Sequence, residues 1–178
     1  MNFQLASMAI AMPAVHGHPN REPFRGVLTL VDTPSDKPPA GSRGHRVILS
    51  RTAAERALPS LLGMALDYSP SFDRHDARRK IGVITRAEIT GKELELSGYL
   101  FAKDFPEIIK QIESGIIQAS ATPRRRTANP LGMSYEISDA SVADVRAKIW
   151  TLTHVTFTGA AILRRDKAAY RDTWIEME

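Results

Sequence analysis

The sequence predicts an α+β fold, a mostly antiparallel β-sheet or barrel with a few flanking helices, on three observations. Apolar and polar residues alternate over residues 81–89 and again over 93–101, and the short segment Thr90-Gly-Lys between them predicts a β-hairpin. Residues 148–163 are rich in β-branched and aromatic side chains, which indicates a long strand. Helical periodicity is confined to two or three segments, whereas most strands follow one another directly, as in antiparallel sheets.

Two short strands and two polar loops are predicted around the start of this pattern. Residues 26–32 and 45–50 have the composition of strands. Residues 33–44, between them, are dense in proline, glycine, serine and charge, and this loop is long enough to suggest a function. Residues 67–80 form a second polar stretch, which predicts a loop directly before the hairpin.

Two helices are predicted from capping patterns. The segment Thr52-Ala-Ala-Glu has the spacing of a capping box, and apolar residues follow it at helical intervals. Pro59 lies inside that pattern and predicts a kink, or two abutting short helices. The segment Asp104-Phe-Pro-Glu begins the second helix, whose buried stripe consists of isoleucines and which we expect to end at Gly115.

The end of the chain reads as strands separated by a basic loop. Residues 116–121 are a candidate strand, residues 122–130 the basic loop, and residues 132–138 an alternating strand. The long strand at 148–163 follows, and residues 164–173 predict a short helix or turn.

Length and composition favour one domain and exclude several classes of site. The 178 residues, 43% hydrophobic and 25% charged, suit one domain at residues 26–173, between a flexible N-terminal arm (1–25) and a C-terminal tail (174–178). The absence of cysteine excludes disulfides, thiolate metal sites and a cysteine nucleophile. No apolar run approaches the roughly 18 residues that span a bilayer, and no basic residue precedes the apolar N-terminal stretch, so neither a membrane span nor a signal peptide is predicted. A net charge of +4 is too small to indicate nucleic-acid binding.

Three residues are candidates for chemistry. His75, in a polar loop before a strand, can exchange a proton near neutral pH, although an exposed loop histidine is the plainer interpretation. Ser134 begins a strand and shares a face with Glu136; it becomes a nucleophile only with a base in reach and is otherwise a surface serine. His154 lies in an apolar strand on the face of Trp150, so we expect it to be buried with a partner, in a structural or a catalytic role.

The remaining polar groups give weaker predictions. The run Arg124, Arg125 and Arg126 is either a solvated loop or a contact for phosphate or an acidic partner. His16 and His18 lie in the arm, and no group of histidines and carboxylates has metal-ligand spacing. The sequence therefore predicts no metal site and no cofactor.

Several short motifs occur in a characteristic order. His75 precedes the strand Ile81-Gly-Val-Ile, a hairpin ends in Gly98-Tyr-Leu-Phe, and the helix start Phe105-Pro-Glu-Ile-Ile follows. The segments Leu131-Gly-Met-Ser-Tyr-Glu and Thr-Phe-Thr-Gly-Ala-Ala-Ile-Leu, at 156–163, complete the series. Over residues 26–173 the chain thereby resembles the prohead (capsid maturation) serine proteases of tailed bacteriophages, which share their fold with the herpesvirus assemblins. The resemblance implies an assemblin-like protease domain.

The resemblance also implies a set of catalytic residues. The family's serine falls on Ser134 and its histidine on His75. Many phage members have a glutamate at the third position, which His154 occupies here, so the arrangement would be Ser–His–His, as in the assemblins.

Two further assignments follow from the resemblance. Assemblins place two arginines after their second histidine to build the oxyanion hole, and Arg164 and Arg165 lie in a comparable place. The run at residues 114–123 also looks like the segment before the family's nucleophile, which makes Ser120 the rival of Ser134. We prefer Ser134, because a serine beside Gly132 is better placed on an exposed turn.

The function implied is a serine endopeptidase that cleaves the scaffold protein and the major capsid protein, and its own chain, during procapsid maturation. It would act in the host cytoplasm inside the assembling procapsid, without membrane or specific nucleic-acid partners, and a homodimer is possible because assemblins are activated by dimerisation. One alternative is a catalytically inactive scaffold or capsid-assembly protein with the same fold. Another is a nucleic-acid-binding module built on the arginine run, against which the lack of interleaved aromatic residues counts.

Overall fold

The computed structural model describes residues 6–13, 15–119 and 130–178. This part of the chain contains nine strands and two α-helices, the first followed directly by a 3-10 helix (Leu58–Leu61). The strands are β1 (Ala6–Ala9), β2 (Glu22–Leu30), β3 (Arg46–Leu49), β4 (Ala65–Tyr68), β5 (Lys80–Thr90), β6 (Glu93–Leu100), β7 (Leu131–Val142), β8 (Ile149–Arg164) and β9 (Trp174–Met177). The α-helices are α1 (Arg51–Ala57) and α2 (Pro106–Ala119).

All the strands belong to one sheet. Its order is β3-β8-β4-β5-β6-β2-β9, with β1 paired to β5 and β7 paired to β8. The pairs are antiparallel except that β3 and β4 both run parallel to β8. The prediction of an α+β fold with a mostly antiparallel sheet is therefore confirmed.

The sheet curls around the main core, which brings β7 against β2. Gly26 on β2 permits this approach, since a Cβ atom there would lie 2.7 Å from the Cε of Met133 on β7. The same Cβ would lie 2.2 Å from the carbonyl oxygen of Trp174 on β9. Close backbone approach of this kind is what glycine allows in a strand.

The hairpin and the broken first helix appear as predicted. β5 and β6 pair along their lengths and turn at Gly91, whose φ of 59° lies in the left-handed region. α1 stops at Ala57, one residue before the 3-10 helix that contains Pro59. The cap is Ser50, whose hydroxyl accepts from the backbone N–H of Ala53, so the helix begins before the predicted capping box.

Both predicted termini differ from the structure. β1 pairs with β5, and β2 already begins at Glu22, so the prediction of an irregular arm is wrong for residues 6–9 and 22–25. β9 pairs with β2 and buries Trp174, so residues 174–177 are part of the sheet rather than a tail. β1 and β9 are only four residues long, and their sequences lack an alternation long enough to indicate a strand.

Two further elements correct the sequence prediction. α2 continues through Gly115 to Ala119, so residues 116–119 are helical and not a strand, because a single glycine is tolerated inside a helix. β4 occupies the start of the predicted loop at 67–80. No helix in the described ranges is long and apolar enough to cross a membrane.

Candidate active site

A row of small residues on the long strand β8 positions the polar side chains on either side of it. On β7, Ser134 lies opposite Ala161 and Glu136 lies opposite Gly159. On the other flank of β8, Asp67 of β4 also lies opposite Ala161. Side chains in register on neighbouring strands share a face of the sheet, so the serine and the two carboxylates project from the same face.

This face is opposite the main core. The alternate residues of β7, Met133 and Tyr135, pack in or against the main core, whereas Ala161 belongs to a separate small cluster. A Cβ atom on Gly159 would lie 3.0 Å from Glu136 Oε2 and 3.2 Å from the carbonyl oxygen of Ala65. Glycine at this position therefore leaves room for the Glu136 carboxylate beside β8.

The loop that follows β4 carries His75 onto this face. Its backbone is held by Asp67, whose Oδ1 accepts a hydrogen bond from the N–H of Asp76 at 3.0 Å. Within the loop, Asp73 Oδ1 accepts from the hydroxyls of Ser69 and Ser71. These local bonds order the loop, which is anchored to the main core by the buried side chain of Phe72.

His75 meets both carboxylates through one ring nitrogen. Its Nδ1 lies 3.1 Å from Glu136 Oε1 and 3.9 Å from Asp67 Oδ2. The imidazole side chain is 30% exposed although Nδ1 is buried, so the exposed part of the ring lies away from the carboxylates. The contact with Glu136 is a close ion-pair distance without hydrogen-bond alignment, which is common in catalytic sites before substrate binds.

The electrostatics of the cluster centre on Asp67, whose carboxylate is 0% exposed. Burial raises the pKa of this carboxyl, while the hydrogen bond from Asp76 and the charge of His75 lower it, and the charge of Glu136 raises it further. The ammonium of Lys80 lies 3.9 Å from Asp67 Oδ2 and also favours the ionised form. Two carboxylates around one imidazole nitrogen stabilise an imidazolium, which is the charge a histidine base acquires.

A cavity of about 1240 Å³ opens over the cluster. One wall comes from the loop between β2 and β3, which the sequence singled out at residues 33–44 as long enough to have a function. The other walls come from the His75 loop, β7 and β8. Its lining includes His45, His75, Ser134, Glu136 and Trp150.

His154 does not join this cluster. It is exposed on β8 and pairs with Ser141, five residues before Gly159, or about 17 Å along the strand. The register between β7 and β8 shifts on both sides of Ser141, and Thr153 and His154 are both exposed. This irregularity breaks the alternation on which the prediction of a buried histidine depended, and that prediction is wrong.

Arg164 and Arg165 are engaged elsewhere. The backbone N–H of Arg164 donates to the carbonyl oxygen of Phe72, and that of Arg165 to the carbonyl oxygen of Pro130, both at 2.8 Å. The Arg164 guanidinium forms two hydrogen bonds to Asp166. Both amides are therefore hydrogen-bonded in this structure, and the oxyanion-hole role of the two arginines stays a prediction.

Two of the predicted site residues, His75 and Ser134, line one cavity in the structure, and two carboxylates that were not predicted as site residues lie beside His75. His75 and Ser134 line the same cavity, while Ser120 and the arginine run at 124–126 lie outside the described residues. The alternation of the sequence had predicted that Glu136 shares a face with Ser134. Asp67 had no such signal, because its place depends on the parallel pairing of β4 with β8.

Replacing Asp67 tests its part in holding the loop. We expect Asp67→Ala to lower the free energy of unfolding by about 1–3 kcal/mol, since the N–H of Asp76 loses its partner. Asp67→Asn keeps an oxygen acceptor and should cost less. Urea denaturation of both variants checks this, and equal stability of wild type and Asp67→Ala would contradict it.

Comparisons with known proteins come from structure alone. No protein-family model matches the chain, and no curated protein matches it. Among solved structures it is similar to the KSHV protease, crystallised in complex with a hexapeptide phosphonate inhibitor. The likeness covers 79% of this chain and 59% of that chain, at 13% sequence identity and a TM-score of 0.42. The chain thus spans less than two thirds of that protease, and the likeness concerns the backbone fold.

Proposed function

We propose that this protein is a serine endopeptidase in which Ser134 is the nucleophile, His75 the general base and Glu136 the group that orients the base. One observation carries the proposal. His75 Nδ1 lies 3.1 Å from Glu136 Oε1 at a cavity that Ser134 also lines. A carboxylate on one nitrogen of a histidine, with a serine beside the ring, is the constellation of serine hydrolases.

The spacing on β7 supports this assignment. Ser134 and Glu136 are two residues apart on one face, about 7 Å along the strand. An imidazole with a hydrogen bond at each nitrogen spans a distance of this order. A single ring can therefore contact Glu136 through Nδ1 and approach the serine hydroxyl through Nε2.

The proposed reaction follows from these positions. Nε2 of His75 takes the proton of Ser134 as its Oγ attacks a peptide carbonyl, and the ring later gives that proton to the leaving amine. Glu136 accepts a hydrogen bond from Nδ1–H and stabilises the imidazolium, assisted by the charge of Asp67. This arrangement replaces the Ser–His–His set with a Ser–His–carboxylate set.

The substrate class rests on the motif resemblance and on the cavity. We infer that the substrates are the scaffold and major capsid proteins of a phage procapsid, together with the enzyme's own chain. A volume of about 1240 Å³ suits an extended peptide of several residues rather than a single small molecule. Action inside the procapsid and a homodimeric state belong to the same proposal.

A serine-reactive phosphonate tests the proposal directly. The serine oxygen attacks phosphorus and displaces the leaving group, which adds one probe to the chain. We expect one adduct on wild type, located at Ser134 by peptide mass spectrometry. It should be absent from Ser134→Ala and retained in Ser120→Ala, which is the matched control.

The other results are equally informative. An adduct at Ser120 would keep the peptidase and move its nucleophile. No adduct, together with no self-truncation in the intact mass after long incubation at high concentration, would favour an inactive scaffold or assembly protein.

A further inference from the structure

The cluster at His75 also has the geometry of a metal site. Asp67, His75 and Glu136 each present one donor atom, and the three atoms lie within 4.8 Å of one another. The separations from His75 Nδ1 are 3.1 Å to Glu136 and 3.9 Å to Asp67. Two ligands of a tetrahedral zinc ion, each about 2.1 Å from the metal, are about 3.4 Å apart. The two observed separations lie on either side of this value, so small side-chain shifts would bring the donor atoms to zinc-binding distances.

A second observation points to a ligand in the same place. Asp67 Oδ2 is buried and has no hydrogen-bond partner in the described part of the chain, and the whole carboxylate is 0% exposed. His75 Nδ1 is also buried without an aligned partner. Buried polar atoms are nearly always satisfied, and both orphaned atoms face the point where a cation would bind.

The positive charge of Lys80 disfavours a cation at this site but does not exclude one. Its ammonium lies 3.9 Å from Asp67 Oδ2, and its side chain is 40% exposed. A lysine on such a flexible stem can move into solvent. Two carboxylates then supply a charge of −2 to the ion.

We propose that a divalent ion of the zinc type binds Asp67 and Glu136 through oxygen and His75 through Nδ1, and that it inhibits the peptidase. The imidazole nitrogen selects zinc over magnesium and calcium, which prefer oxygen ligands. Sequence spacing predicted no metal site, because these ligands come from three separate segments of the chain.

The proposed inhibition by the bound ion rests on the proposed peptidase function. Neutral imidazole carries one proton, and a metal on Nδ1 leaves that proton on Nε2. Nε2 then has no lone pair to accept the proton of the serine. The ion also occupies the oxygen of Glu136 that would stabilise the imidazolium.

Calorimetric titration of the full chain with Zn²⁺ tests the site without any activity assay. We expect one ion per chain, and an affinity at least tenfold lower in Asp67→Asn and in Glu136→Gln. Lys80→Met should bind several-fold more tightly, because the competing ammonium is removed. His154→Ala should match wild type, and Mg²⁺ should not compete.

The result that overturns the site is unchanged zinc binding in both carboxylate variants, or no binding by wild type. Thermal melts of Asp67→Asn and Glu136→Gln show whether each is folded, and the Lys80→Met result gives an independent check on a variant that leaves all three ligands in place.

Phosphonate labelling with and without Zn²⁺ separates the two proposals. We expect zinc to slow labelling of wild type at least tenfold, and Lys80→Met to be inhibited at lower zinc concentration. Zinc binding with undiminished labelling would overturn the inhibition. No labelling at any zinc concentration would overturn the proposed function and the inhibition together, while the titration would still support the metal site.

Discussion

Replacing His75 by glutamine should lower kcat/KM for peptide hydrolysis by about 10,000-fold, with KM little changed. Glutamine keeps a hydrogen-bonding side chain but cannot accept the proton of Ser134. The loss therefore falls on the chemical step, where the base both activates the nucleophile and protonates the leaving amine. Steady-state kinetics on a peptide that the wild-type chain hydrolyses would measure this loss.

The cavity offers a matched control in a second histidine. His45 lines the same cavity but stacks on Trp150, with ring centroids 4.4 Å apart. We expect His45→Gln to change kcat by less than about threefold, since within the described residues this ring forms no ion pair with a carboxylate. A similar loss in both variants would mean that His75 is not the base and that the cavity is merely being distorted. Equal melting temperatures would show that both variants are folded.

The strands that place this site were predictable where the pattern was long. β5, β6, β7 and β8 each carry enough alternating or β-branched residues for the two-residue period to be visible in the sequence. β1, β4 and β9 have only four residues each, and their pairing with distant strands gives no local signal.

The site itself was predictable in part for the same reason. His75 and Ser134, which line the same cavity, were chosen as candidates from short motifs. The alternation along β7 also predicted that Glu136 shares a face with Ser134. Asp67 reaches the cluster only because β4 runs parallel to β8, a contact between segments far apart in the chain. The prediction that His154 is buried was wrong because the irregular pairing near Ser141 turns its side chain outward.

Substitutions of Glu136 and His154 distinguish the two candidates for the third residue of the catalytic set. We expect Glu136→Gln to lower kcat about 100-fold or more, and His154→Ala to change it by less than about twofold. The amide has nearly the shape of the carboxylate but no charge to stabilise the imidazolium. His154 is exposed and lies about 17 Å along β8 from Gly159, so it is too far away to contact the imidazole of His75.

We expect the loss of activity in Glu136→Gln to be smaller than in His75→Gln, because Asp67 remains beside the imidazole. A double variant tests this explanation. The Asp67 carboxylate lies 3.9 Å from Nδ1 of His75 and can take over part of the stabilisation. The double variant Asp67→Asn/Glu136→Gln should therefore lose more than the sum of the two separate losses in activation free energy, because each carboxylate covers for the other. Strict additivity would mean that the two carboxylates act independently, with neither compensating for the loss of the other. A collapse of activity in His154→Ala, with Glu136→Gln unaffected, would restore the Ser–His–His arrangement and require β8 to pair differently in the active enzyme.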